Sequence, residues 1–321
     1  MVQPHERRSI SVVTPVYNGE ASLGELCRRL AEVLPRISAE HEVILVNDGS
    51  RDRSWETISE LCSRSPVVRG LNLMRNYGQH NALLCGIRVA KYDLVVTMDD
   101  DLQHPPEEIP RLLARLEEGF DVVYGAPEAE RNGPMRALAS SITRFALRAA
   151  VGSEVAKNVS AFRLFRTQLR EAFSGYQSPF VSIDVLLTWA TTRFGAVIVP
   201  FQPRHSGSSN YTFTKLVRFA LDMMTGFSTA PLQLASLIGF SCTLFGIGVL
   251  IYVVGRYLLE GSIPGFPFLA SIITIFSGAQ LFALGVIGEY LARMHFRTMN
   301  RPAYAIRATA EAENSKTQSQ E

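Results

Sequence analysis

The sequence predicts an α/β domain built on a mostly parallel sheet, followed by interfacial helices and a two-helix transmembrane hairpin. Three observations predict it. Short β-branched runs alternate with helical patterns through the first part of the chain, which implies a parallel sheet covered on both faces. Charge is unevenly distributed: residues 1–228 are charged throughout, whereas residues 229–292 carry very few charges. That apolar region divides into two stretches, each longer than the roughly 20 residues a helix needs to cross a bilayer.

Each element follows from a local pattern. Residues 9–16, SISVVTPV, are rich in β-branched side chains and read as a buried strand. Leu23, Leu26, Leu30 and Leu34 recur at helical spacing over residues 21–34. Residues 42–46, EVILV, form a second strand, stopped by Asn47-Asp48-Gly49-Ser50. A helix over 54–63, a strand over 67–73, a helix over 80–91 and a strand over 93–98 follow. Pro105 and Pro106 open the next helix, where a first-turn proline is tolerated. Residues 120–124 are a fifth strand. Residues 133–151 and 212–227 are basic and amphipathic; both suit surface helices, and the position of the second, just before the apolar stretches, suits a helix lying in a lipid interface.

The membrane stretches are residues 232–259 and 268–291, joined by a short link rich in glycine and proline. Arg293, His295, Arg297, Arg301 and Arg307 follow the second, while the link holds no Lys or Arg. The positive-inside rule therefore puts the tail in the cytoplasm. The N-terminus lacks an apolar signal core, which keeps the first domain there too. The expected organisation is a cytoplasmic domain over 1–211, an interfacial helix over 212–229, a hairpin over 230–292 and a tail over 293–321 that is basic and then disordered. The expected location is the inner (plasma) membrane, crossed twice, with both termini cytoplasmic.

Charged residues make up 19% of the 321 residues, against about 25% in soluble proteins. The net charge of +2 points to no polyanionic partner, and no nucleic acid is expected. Cys27, Cys62, Cys85 and Cys242 form no CxxC pair and read as free thiols of a reducing compartment.

Chemistry concentrates at strand ends, where ligands bind in such sheets. Asp99-Asp100-Asp101-Leu102-Gln103 follows the fourth strand. Clustered carboxylates repel one another unless a cation neutralises them, and Mg2+ or Mn2+ is the natural partner; a solvated acidic turn is the plainer alternative. Asp48 follows the second strand, in a sequence that is also an ordinary turn. Thr14-Pro15-Val16-Tyr17-Asn18 follows the first, where Tyr17 offers a face for a base or packs over the loop. Arg204 through Tyr211 is basic and rich in hydroxyls, which suits phosphate oxygens or a flexible polar loop.

Taken in order, TPVYN, VNDGS, RNYGQHNALLCG and DDDLQHPPEEIP resemble the landmarks of family 2 glycosyltransferases with the GT-A fold. With the hairpin, the chain is similar to the polyprenyl-phosphate branch of that family over about residues 9–300, and the sequence GEYLAR at residues 288–293 is part of the likeness. The resemblance implies transfer of a sugar from a nucleotide-sugar, UDP favoured, to undecaprenyl phosphate, by inverting displacement, for modification of a cell-envelope glycan such as lipopolysaccharide. It implies that Pro15, Tyr17, Asn18 and Asp48 hold the nucleoside. Arg75, Asn76, Tyr77, Gly78, Gln79 and His80 would lie under the nucleotide and sugar, with Asp100 beside them. Asp99, Asp101 and Gln103 would approach the metal, and Arg204 and Ser209 the lipid phosphate, with Tyr211 nearby. Arg163 is a further candidate for that phosphate by its charge, and Asp99, Asp101, Arg163 and Arg204 are the catalytic candidates. A homo-oligomer, a tetramer by resemblance, is expected.

Two positions depart from that pattern. Asn210 stands where a lysine is common, and residues 157–164 lack the carboxylate often found before Phe-Arg-Leu. An anionic phosphate acceptor needs no general base, which accommodates the second departure. Three alternatives are weighed: a dolichol-phosphate-mannose-type synthase using GDP-mannose, a processive synthase, and an inactive scaffold. The processive reading needs a Gln-x-x-Arg-Trp motif that neither Trp55 nor Trp189 supplies.

Overall fold

The computed structural model describes residues 8–127, 158–200, 230–260, 265–299 and 302–312. The expected helices over 133–151 and 212–227, and the segment from Arg204 to Tyr211, lie outside the described residues.

Strands and helices alternate as β1 (Ser9–Val16), α1 (Glu20–Ile37), β2 (Glu40–Asn47), α2 (Ser54–Arg64), β3 (Val68–Leu73), α3 (Gln79–Val89) and β4 (Leu94–Thr97). A 3-10 turn at Pro106–Glu108 leads into α4 (Ile109–Glu117), β5 (Val122–Pro127) and β6 (Arg163–Arg166). A second 3-10 turn, Thr167–Phe173, precedes α5 (Ile183–Ala190) and β7 (Phe194–Val199). Two long helices, α6 (Ala230–Glu260) and α7 (Phe266–Thr298), come before a last strand, β8 (Ile306–Ala310).

The strand order is β7-β5-β6-β4-β1-β2-β3-β8. The run β4-β1-β2-β3 is parallel, as the alternation predicts, and β5 pairs parallel with β7. β6 is antiparallel to both β4 and β5, and β8 to β3, so the sheet is mixed. The period-2 rule divides the core into two layers. Ile10, Val12, Val43 and Leu45 face α1, α2 and α4 through Leu26, Leu30, Ile58 and Leu112. Val13, Ile44 and Val46 face α3 and α5 through Leu84, Ile87, Ile183 and Leu186.

The three strands that the pattern does not predict share a cause. β6 is four residues with arginine at both ends, and β7 is a short apolar run without alternation. β8 falls in a tail expected to be basic and then disordered from residue 309. It is held by Ala303, which enters the core, and by Glu311, which pairs with Arg69 at 2.8 Å. Contacts between segments far apart in sequence decide all three.

Segments Pro231–Val249 and Ile275–His295 are long and apolar enough to cross a membrane, and only 6% and 0% of them are buried in the fold, so they are not core helices. They pack on each other at Gly246, where an added Cβ would stand 2.9 Å from Phe276 Cζ; nothing comparable approaches Gly239, Gly278 or Gly285. Gly246→Leu is therefore expected to drive α6 off α7 and to lower the melting temperature in detergent, while Gly278→Leu leaves it unchanged. Equal melting temperatures for the two would show that close approach at Gly246 does not hold the pair. Near the end of α7, Arg293 pairs with Glu289 at 2.8 Å and lies 4.6 Å over the Phe180 ring, joining this helix to the α/β domain.

Candidate active site

The carboxyl ends of β1, β2, β3 and β4 open on one edge of the sheet. The chain passes from β3 beyond β2 and β1 to reach β4, so the switch point lies between β1 and β4. Ligands of open α/β sheets bind there. The segments after Val16, Asn47, Leu73 and Thr97 all converge on this edge, which brings together Tyr17, Asp48, the 74–78 loop and the acidic run.

The loops interlock through hydrogen bonds. The Asn18 N–H donates to Ser50 Oγ at 3.0 Å, and the Arg51 N–H donates back to Asn18 Oδ1 at 2.9 Å. The Gly19 N–H donates to Ser54 Oγ at 3.0 Å, and the Glu20 N–H to Asp52 Oδ2 at 3.3 Å. These bonds satisfy the free N–H groups at the start of α1 from the neighbouring loop, in place of a cap of its own. Pro15 is buried, while Tyr17 is 48% exposed and open to the cleft edge.

Asp48 is 3% exposed, and each carboxylate oxygen accepts one loop N–H: Tyr77 at 2.7 Å and Gly78 at 2.8 Å. Burial raises its pKa, and these two bonds pull against that rise. Asp48 thus shapes the 74–78 loop. Arg75 lies 4.2 Å over the Tyr77 ring. Gly49 makes room for this loop with a φ of +66°, and a Cβ there would stand 2.5 Å from the Asn76 nitrogen. Gly49→Ala is expected to displace the loop and to destabilise the domain by about 1–3 kcal/mol, the scale of a strained turn. An unchanged melting temperature would show that the loop absorbs the extra Cβ without strain.

The acidic run is tied to the same loop. Gln79 Nε2 donates to Asp99 Oδ1 at 2.5 Å, and Asp101 Oδ1 accepts the Gln103 N–H at 3.1 Å. Leu102 between them takes a φ of +60° and is buried. A branched side chain in the left-handed region costs about 1–3 kcal/mol, and such strain gathers at functional sites. Asp100 packs against Gly19. His104 is buried against Phe162, with ring centroids 5.5 Å apart. Burial lowers its pKa, against an opposing pull from Asp101. The segment lacking a carboxylate meets this histidine: Ser160 Oγ is 3.4 Å from His104 Nε2.

Arg163 sits opposite Thr97 at the carboxyl end of β4, with its side chain buried. It is 2% exposed on β6, and its Nη1 donates to Asp184 Oδ1 at 2.8 Å. The Tyr124 hydroxyl donates to the same oxygen at 3.0 Å. Half-buried His80 stands nearby and accepts the Ile183 N–H through Nδ1 at 3.3 Å. Burial lowers the His80 pKa; Asp184 opposes that and Arg163 adds to it. The structure therefore brings Tyr17, Asp48, Gln79 and Asp99 to one edge and turns Arg163 inward. Sequence reading missed Ser50, Asp52, Ser54, Tyr124 and Asp184. The first three lie in the VNDGS motif or just after it, and spacing gave no sign that they cap a neighbouring helix. Nothing in the sequence around Asp184 marks it.

The arrangement sets the exposed Tyr17 ring and the partly buried carboxylates of Asp99 and Asp101 on one sheet edge. Among the described residues no three His, Cys, Asp or Glu side chains are grouped to enclose a metal by themselves. Mg2+ and Mn2+ commonly take one or two carboxylates and complete their shell with substrate phosphates and water, so the donor set fits that kind of ion.

Residues 11–173 match the family described as Glycosyl transferase family 2. The chain is 34% identical to the undecaprenyl-phosphate 4-deoxy-4-formamido-L-arabinose transferase of Pseudomonas savastanoi pv. phaseolicola, across 95% of this chain and 92% of that protein. It is 35% identical to the transferase of the same name from Proteus mirabilis, across 92% of each. Among solved structures, it is similar to glucosyl-3-phosphoglycerate synthase from Mycobacterium tuberculosis in complex with Mn2+, UDP-glucose and phosphoglyceric acid. That match has a TM-score of 0.51 and 20% identity, and covers 68% of this chain and 78% of the other.

Proposed function

The chain belongs to glycosyl transferase family 2, and from that premise we propose that it transfers a sugar from a UDP-linked donor to undecaprenyl phosphate at the cytoplasmic face of a membrane. One observation carries the reading: the acidic run after β4 shares a sheet edge with the loop that Asp48 shapes, in a chain that also has two exposed helices of membrane length. The similarity to undecaprenyl-phosphate transferases extends over both parts. The lipid-linked sugar would serve as a donor for cell-envelope glycan modification.

In this reading Tyr17 and Asp48 with its loop receive the nucleoside, and Gln79 holds Asp99 in place for the diphosphate. Asp99 and Asp101 would hold Mg2+ or Mn2+, with Gln103 close by, and the ion would offset the charge on the departing diphosphate. The lipid phosphate falls to Arg204, Ser209 and Tyr211. A phosphate oxygen of the lipid attacks the anomeric carbon from the side opposite the leaving group. One C–O bond forms as the C–O bond to the nucleoside diphosphate breaks, and the configuration inverts. The acceptor oxygen is already anionic, so no residue need remove a proton. The residues supply alignment, which is worth several kcal/mol when reacting groups are well oriented.

The test is transfer of labelled sugar into a lipid extract. Full-length protein, undecaprenyl phosphate, Mn2+ and a panel of UDP-, GDP- and dTDP-sugars would be incubated together. Label in the lipid phase with a UDP-sugar is expected. Transfer with GDP-mannose alone would move the assignment to the mannose-type branch, and no transfer with any donor would remove it. The proposed topology has its own check. A reporter fused after Glu321 is expected to be active only in the cytoplasm, because Arg293, His295 and Arg297 follow the apolar core of α7.

A further inference from the structure

The tail that follows α7 reaches the nucleotide loop. β8 runs antiparallel to β3, with Gly70 opposite Ala310, Leu71 opposite Thr309, Asn72 opposite Ala308 and Leu73 opposite Ile306; the register shifts between Asn72 and Leu73. Past that shift, the tail takes both backbone polar groups of Met74. The Met74 N–H donates to the Ala305 carbonyl at 2.9 Å, and Arg307 Nη2 donates to the Met74 carbonyl at 3.0 Å. Met74 is the first residue of the loop whose other end, Tyr77 and Gly78, is held by Asp48. The loop is thus gripped at one end from inside the sheet and at the other by residues beyond the second membrane-length helix.

The tail is itself anchored. Ala303 is buried in the core layer that contains Leu71 and Leu73. Arg88 faces the Tyr304 ring at 5.7 Å. At the far end, Arg69 pairs with Glu311 at 2.8 Å and with Glu42 at 2.9 Å. Few residues separate the end of α7 at Thr298 from this docked segment.

We propose that residues 303–311 form a strap that positions the 74–78 loop relative to the membrane helix, and that Arg307 is a positioning residue for binding the nucleoside diphosphate end of the donor. The inference rests on the donor-site reading above. The physical reason is entropic. A loop with one free end samples more conformations, and a ligand that needs one of them binds less tightly in proportion. A strand that only covered the edge of β3 would block edge-to-edge association. It would not require a side chain to reach past the register shift to a loop carbonyl.

The test is calorimetric titration of the full-length protein with UDP and Mn2+, beside transfer kinetics and thermal melts. Arg307→Ala is expected to weaken UDP binding about threefold, the scale of one solvent-facing hydrogen bond. Adding Glu311→Gln, which frees the far end, is expected to bring the loss to about tenfold. Arg307→Lys keeps a donor and should restore most of the affinity. Donor KM should rise with kcat and melting temperature unchanged. UDP binding by the double variant equal to that of the parent would overturn the proposal. So would a loss that tracks a lowered melting temperature and is not rescued by lysine, since β8 would then be edge cover alone. If the parent binds neither UDP nor GDP, the donor-site reading fails and the strap proposal falls with it.

Discussion

Asp99→Ala and Asp101→Ala are each expected to reduce sugar transfer by about 10³-fold, or about 4 kcal/mol of transition-state stabilisation. The fold should not suffer. Asp99, Asp100 and Asp101 are consecutive and only partly buried, so their charges repel and removing one relieves the others. The melting temperature without metal should stay the same or rise. The gain in melting temperature on adding Mn2+ with UDP should disappear, because stabilisation by a ligand follows its affinity for the folded state. Gln79→Ala tests the same geometry one step removed. Gln79 touches Asp99 at 2.5 Å, and losing an outer partner of a metal ligand typically costs about 10–100-fold. Full activity of either aspartate variant, or of the parent in excess chelator, would sink the metal assignment.

Much of this edge was legible in the sequence, for a physical reason. Strands β1 to β4 are short, apolar and separated by turn residues, so periodicity locates them without tertiary information. Their carboxyl ends then locate Asp48 and Asp99. What was not legible depends on contacts across long separations. Asp48 reads as a nucleoside ligand in sequence, and spacing gives no sign that each of its oxygens also accepts an N–H from residues about 30 positions later, which shapes the loop. Helix α1 has no capping side chain at Gly19; its first turn is satisfied by Asp52 and Ser54 from another loop. β8 is an edge strand whose partners lie more than 200 residues earlier, and a five-residue segment with one large apolar side chain carries almost no local signal. Arg163 is a phosphate candidate by its charge, and sequence position alone does not reveal which way a strand residue faces.

The second large effect concerns that arginine. Asp184→Ala is expected to destabilise the domain by about 3–5 kcal/mol, because it leaves the Arg163 guanidinium buried without its counter-charge and the Tyr124 hydroxyl without its acceptor. The melting temperature should fall by roughly 10 °C for a domain of this size. Stability loss alone does not decide what Arg163 is for, since a phosphate-binding arginine held by an aspartate would give the same result. The double replacement Arg163→Met with Asp184→Leu separates the two. Exchanging a buried ion pair for apolar residues of similar volume is often neutral or stabilising, so most of the lost stability should return. Arg163 is 2% exposed and committed to Asp184, so the double variant is expected to keep its KM for undecaprenyl phosphate. A refolded double variant whose lipid KM rises about tenfold or more, with UDP affinity intact, would return Arg163 to the acceptor site and show that the buried pair opens during turnover.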